Sequence, residues 1–166
     1  MALNIKKGRL ITFLDIFLIF VIFIFLRNYM GKNNKNSTRL IKDKVTYTLL
    51  INSQKIKKDE LLNIRIKLEN RDKNQKFLEF KKAVPFNYVI EKDRKFIYKR
   101  DIMESMSKSP KKIYLNRYGK TEFGTEWYGN TLEQEEVEPG IYTLTVYSTD
   151  LDVNLRLNFE IIQEAE

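Results

Sequence analysis

The chain has 166 residues, 43% of them hydrophobic and 13% aromatic, enough for one packed domain and a short extra segment. Its formal net charge is +8, and it contains neither cysteine nor histidine. Those absences exclude disulfides, zinc centres built on Cys or His, thiol nucleophiles and Ser-His triads, so any catalysis would fall to Asp, Glu, Lys, Tyr or Ser.

In chain order, residues 1–9 form a short basic tail carrying Lys6, Lys7 and Arg9. Leu10 to Leu26 is apolar on every face apart from Asp15 and Thr12. At helical rise this run spans roughly 25 Å, and Tyr29 and Met30 extend it toward the roughly 30 Å of a hydrocarbon core. Residues 10–30 are therefore predicted to be a single transmembrane anchor, with Tyr29 suited to the interface. Asp15 lies near one edge, where a carboxylate can be protonated or reach headgroup water. A cleaved signal peptide is the competing reading, but Arg27-Asn28-Tyr29-Met30 offers no small-x-small cleavage site. By count, the basic residues after the span favour a cytoplasmic C-terminal domain. The usual export of β-domains behind an N-terminal anchor favours the opposite, and export is the expectation adopted. Three alanines amid abundant Lys, Asn, Ile and Phe suggest an AT-rich bacterial source, which makes the expected location a bacterial cell membrane.

Residues 31–44 are polar and basic and read as a linker. From Val45 onward, short alternating segments follow one another with turn signals between them. Strands are predicted at 45–51, 61–69, 77–81, 86–91, 96–99, 113–117, 121–128, 141–147 and 153–162, with a hairpin turn at Lys92-Asp93-Arg94-Lys95. Leu62, Ile64, Ile66 and Leu68 alternate with Asn63, Arg65, Lys67 and Glu69. Such one-faced strands exclude a doubly wound parallel sheet, whose strands would be apolar on both faces. The predicted class is all-β: an immunoglobulin-like, two-sheet antiparallel sandwich over 45–162, preceded by one N-terminal transmembrane helix and followed by a tail at 163–166.

Charge is unevenly distributed. Residues 32–120 hold 25 basic and 10 acidic side chains, whereas residues 121–166 hold Arg156 against 11 acids. Basic and acidic strands lying side by side would neutralise one another, and the acidic third argues against a nucleic-acid partner. The run Glu133-Gln134-Glu135-Glu136-Val137-Glu138 lacks the Asp/Asn alternation and turn glycine of a calcium loop, so no metal site is expected there. Nothing in the pattern calls for a cofactor.

Several motifs together carry a family resemblance. Ile66-Lys67-Leu68-Glu69-Asn70, Phe77-Leu78-Glu79-Phe80 and Tyr88-Val89-Ile90-Glu91 with its hairpin to Phe96-Ile97-Tyr98 are the first three. Gly119 before the strand ending in Trp127, and Pro139-Gly140-Ile141-Tyr142, complete the set. The region 45–162 resembles the intracellular proteinase inhibitor (BsuPI) family. The resemblance implies a β-sandwich, a non-catalytic protein-binding role and, by the family name, a serine protease as partner.

Each motif residue has a structural reading beside a functional one. Trp127 is either a recognition platform or, in register with Phe123, a core residue. Tyr142 reads as the tyrosine that pins a sandwich corner, and Pro139-Gly140 as turn chemistry. Asp101–Lys112 lacks alternation and is long for a connection, so it is the candidate partner-binding loop, with Met103, Met106 and Lys108 as contact residues. A short helical turn or a plain connector is the alternative. The function expected is a membrane-anchored, non-catalytic protein-interaction module, with a carboxylate-based envelope hydrolase and a permanent accessory of a membrane complex as alternatives.

Overall fold

The computed structural model describes Leu18, Val21 and residues 36–81, 84–100, 110–133 and 135–163. It divides into two units, Met1–Lys35 and Asn36–Glu166. In the first, Leu18 and Val21 are helical and exposed. No helix among the described residues is long and apolar enough to cross a membrane. The rest of the predicted anchor at 10–30 lies outside the described residues.

The second unit is all β among its described residues, built from several antiparallel sheets. Its strands are β1 (Ser37–Lys42), β2 (Val45–Ile51), β3 (Lys55–Lys57), β4 (Leu62–Asn70), β5 (Lys76–Phe80), β6 (Asn87–Lys92), β7 (Lys95–Lys99), β8 (Lys111–Leu115), β9 (Lys120–Trp127), β10 (Gly140–Ser148) and β11 (Val153–Ile162). One sheet runs β1-β2-β4-β9, a second runs β3-β11-β10-β6-β7, and β5 with β8 forms a separate ribbon.

Two expectations are corrected here. Residues 37–42, read as part of a 31–44 linker, form the edge strand β1, paired from Ser37↔Leu50 to Lys42↔Val45. An edge strand faces water along one side, so its polarity resembles that of a tether; Leu40 is what faces the core. The sheets are also not wholly antiparallel, because β3 pairs in parallel with β11. Three residues are too few to show a period.

Turn chemistry follows from small sets of residues. Asp43-Lys44 and Asp93-Arg94 both have positive φ (49° and 61°; 50° and 66°), so each hairpin closes in two residues. At the second, Lys92 pairs with Lys95, tighter than the predicted four-residue turn. Asn70, fully buried at the end of β4, pins three segments. Its Nδ2 donates to the carbonyls of Asn74 (2.8 Å), Leu115 (3.2 Å) and Asn116 (2.9 Å), and its Oδ1 accepts the N–H of Asp72 (2.9 Å). Gly119 sits where a Cβ would meet the backbone nitrogen of Asn116 at 2.9 Å, which explains that glycine sterically.

The inward faces of the two larger sheets share one core. Leu49, Leu62, Ile64 and Leu68 of the first meet Ile90, Leu144, Phe159 and Ile161 of the second. Lys42 ties the edge strand β1 to the β10–β11 turn, donating to the Leu151 carbonyl (3.0 Å) and pairing with the Asp152 carboxylate (2.7 Å).

Candidate functional site

The motif residues fall into the core. Trp127 ends β9 with 1% of its surface exposed, which removes it as a recognition platform. Its ring lies 5.9 Å from Phe159 and 6.3 Å from Tyr142 across the two sheets, and its Nε1–H donates to the Asn130 carbonyl at 2.9 Å. Tyr142 is equally buried, and its hydroxyl donates to the Glu138 carbonyl four residues upstream. That bond holds the chain as it turns into β10. Burial pushes the Tyr142 hydroxyl above its ordinary pKa. Gly140 has φ of +146° and lies against the Lys92 side chain, while Lys92 donates to the Pro139 carbonyl at 3.1 Å. Pro139 and Gly140 thus serve the turn. Met103, Met106 and Lys108 lie outside the described residues.

The described residues hold no group of three or more Asp, Glu, Cys or His placed to bind a metal ion. Two described carboxylates have clearly displaced pKa values, and both are lowered. A hydrogen bond from Lys44 is the main cause at Asp72, and one from Lys42 at Asp152. A general acid for hydrolysis would need the opposite displacement.

Two depressions among the described residues lie along β9, an edge of the first sheet, and two others lie on the second sheet, around Thr143 and Arg156 and around Gln54 and Ile141. On the inner side a cleft of about 200 Å³ separates β9 from the segments at 84–86, 100 and 111. Ile66, Phe86 and Phe123 supply its apolar wall, with Phe86 and Phe123 5.7 Å apart. Its charged groups among the described residues are both cations. The Arg100 guanidinium donates to the Thr125 hydroxyl and lies 5.9 Å from the Tyr88 ring. Lys111 Nζ lies 5.2 Å from the Phe123 ring. On the outer face a shallower depression of about 460 Å³ is lined by Asn63, Arg65, Gly124, Thr125, Glu126 and Tyr128.

Backbone geometry makes this edge distinctive. The Asn70 N–H donates to the Gly119 carbonyl at 2.9 Å, one step beyond the paired register Glu69↔Lys120. By antiparallel alternation, Thr121, Phe123, Thr125 and Trp127 then turn their backbone groups toward β4, whereas Glu122, Gly124 and Glu126 turn theirs away. The Tyr88 hydroxyl takes the outward carbonyl of Glu126 at 3.1 Å, consistent with that direction. Among the described residues, no hydrogen bond satisfies the outward N–H and C=O of Glu122 and Gly124.

This edge was not singled out from the sequence. Gly124 in mid-strand was the available signal, since glycine in a strand interior marks a bulge, a bend or a close backbone approach. Arg100 and Lys111 carried no signal of their own, because folding alone brings them together.

No family model and no curated protein matches this chain. Among solved structures, it is similar to the alkylpurine DNA glycosylase AlkC of Pseudomonas fluorescens bound to DNA containing an abasic-site analog, at 16% identity and a TM-score of 0.42. That match covers 74% of this chain and 30% of the other. It is similar to a β-glucosidase from Listeria innocua at 16% identity and a TM-score of 0.37, over 75% of this chain and 17% of the other. A β-glucosidase from Erythrobacter marinus matches at 11% identity and a TM-score of 0.41, over 76% and 15%. The chain thus spans 30% or less of these structures, and likenesses of this size carry no argument about its activity.

Proposed function

We propose that the chain is a membrane-anchored, non-catalytic protein-interaction module whose second unit is an immunoglobulin-like two-sheet sandwich. The observation that carries this reading is the pair of depressions that flank the β9 edge. They follow a sheet edge whose outward backbone groups at Glu122 and Gly124 have no partner among the described residues, with apolar and cationic walls, a surface suited to another polypeptide. Hydrolysis would call for converging carboxylates with raised pKa values, and the displaced carboxylates of the described part are held low by lysines. The apolar run at 10–30 supports attachment to a bacterial membrane, with the sandwich on the exported side.

The resemblance to the BsuPI family supports a protein partner and makes a serine protease the first one to try. The test is gentle solubilisation of membranes carrying the full chain, with co-purifying proteins quantified by mass spectrometry and the purified chain assayed against a panel of serine proteases. The reading expects a stoichiometric protein partner that resists a high-salt wash of the membranes. A chain that purifies alone and hydrolyses a glycoside or ester would sink it.

A further inference from the structure

We infer that the β9 edge recognises an extended acidic–apolar segment of another protein by adding it as a fifth strand to the β1-β2-β4-β9 sheet. This deepens the interaction-module reading and rests on it. Three independent observations meet at Gly124.

The first is the backbone. Glu122 and Gly124 present two N–H and two C=O groups outward, unsatisfied among the described residues, which is the template an added strand uses. The second is the glycine itself. Glycine in a strand costs roughly 0.5–1 kcal/mol relative to alanine, so its presence calls for a reason. A Cβ built at Gly124 would meet no atom within 4 Å, and its φ is not positive. The β4–β9 register runs unbroken from Leu62↔Trp127 to Glu69↔Lys120, so there is no bulge. The missing side chain lies on the outer face, in line with Glu122 and Glu126, so this position leaves that face open beside the edge.

The third is charge. Among the described residues, the inner cleft beside Gly124 has two cations, Arg100 and Lys111, no carboxylate lining, and apolar walls from Phe86 and Phe123. Neither cation has an ion-pair partner among the described residues. A strand laid along β9 sends alternate side chains into this cleft. The matching segment therefore carries a carboxylate and an apolar side chain two residues apart. A second copy of β9 would direct Thr121, Phe123 and Thr125 into the cleft and bring no counter-charge to Arg100 and Lys111, so a heterologous partner fits better. The charged side chains of Glu122 and Glu126 point to the outer face, where they discourage indiscriminate edge pairing.

The test presents the full chain, in mild detergent, with a displayed library of random peptides. Retained peptides should be enriched in an Asp or Glu two residues from an apolar residue. Lys111→Glu should weaken them about tenfold, the size of one lost charge pair, and Gly124→Pro should abolish binding by removing an outward N–H and blocking the approach. If Gly124→Pro fails to fold, amide exchange of the unaltered chain decides instead: Glu122 and Gly124 should exchange fast alone and slow down with peptide bound. Peptides that bind both variants equally, or that leave those amides unprotected, would overturn the β9 assignment while leaving an interaction module in place. A library that retains no peptide would overturn this occupant, and the co-purification result then judges the module separately. Concentration-dependent dimers abolished by Gly124→Pro would assign the edge to a second copy and also overturn the inference.

Discussion

Replacing Asn70 by alanine tests the packing account most sharply, because one side chain holds β4, the 71–74 turn and the β8–β9 turn together. Its Nδ2 serves three carbonyls and its Oδ1 serves one amide. The bonds to the Leu115 carbonyl and from the Asp72 N–H are buried, so water cannot replace them. A net hydrogen bond contributes about 0.5–1.5 kcal/mol, and a buried group left without a partner costs about 1–3 kcal/mol. Two buried orphans plus the loss of the more exposed bonds come to roughly 3–5 kcal/mol. For a domain of this size that lowers the thermal midpoint by about 10–20 °C. Asn70→Asp keeps the acceptor for Asp72 but removes all three donations, so it should be nearly as damaging. Thermal and urea unfolding followed by circular dichroism measures both. An Asn70→Ala midpoint within a few degrees of the parent would refute the reasoning.

Trp127→Ala should cost roughly 3–5 kcal/mol, as large aromatic truncations in cores do, and the parent tryptophan should emit at short wavelength and resist acrylamide. A fragment starting at Asn36 should fold, whereas one starting at Val45 loses β1 and the Lys42 bridge and should unfold earlier and aggregate through the uncovered edge of β2. On acidification, the lowered carboxyls of Asp72 and Asp152 contribute stability above their unfolded value of 3.8 and lose it as pH falls through their folded values. The urea midpoint should therefore drop below about pH 4, less steeply in Asp72→Asn with Asp152→Asn. At the other extreme, burial pushes Tyr47 up from 10.0 to about 12, so stability present below pH 10 is lost as pH rises through about 12. Tyr47→Phe should flatten that alkaline limb.

The strands legible in the sequence were those with one wet and one buried face. Leu62 to Asn70 and Val153 to Ile162 bury every second residue, so a period of two marks them and also fixes which side chains meet in the core. Edges were less legible. In β1 only Leu40 packs against the core, and β3 buries Ile56 alone, so neither shows a repeated pattern. The Asp43-Lys44 and Asp93-Arg94 turns use left-handed non-glycine residues, a weaker signal than Asn-Gly. Pro139-Gly140 and Tyr142 were legible because glycine and a hydroxyl four residues from its acceptor are local features. The β9 edge was not legible in the same way. Which of its backbone groups face outward depends on the pairing with β4, and Arg100 reaches Thr125 only through the fold.

Crosslinking in living cells tests the central claim directly, because it reports a partner at a chosen point on the surface of the intact protein. A photoreactive benzophenone amino acid at position 122, on the edge strand β9, is compared with one at position 154, exposed on β11. The account predicts a discrete adduct with another protein from position 122, none from position 154, and loss of the adduct when Lys111→Glu is added. Equal labelling from both positions, or an adduct indifferent to Lys111, would contradict it.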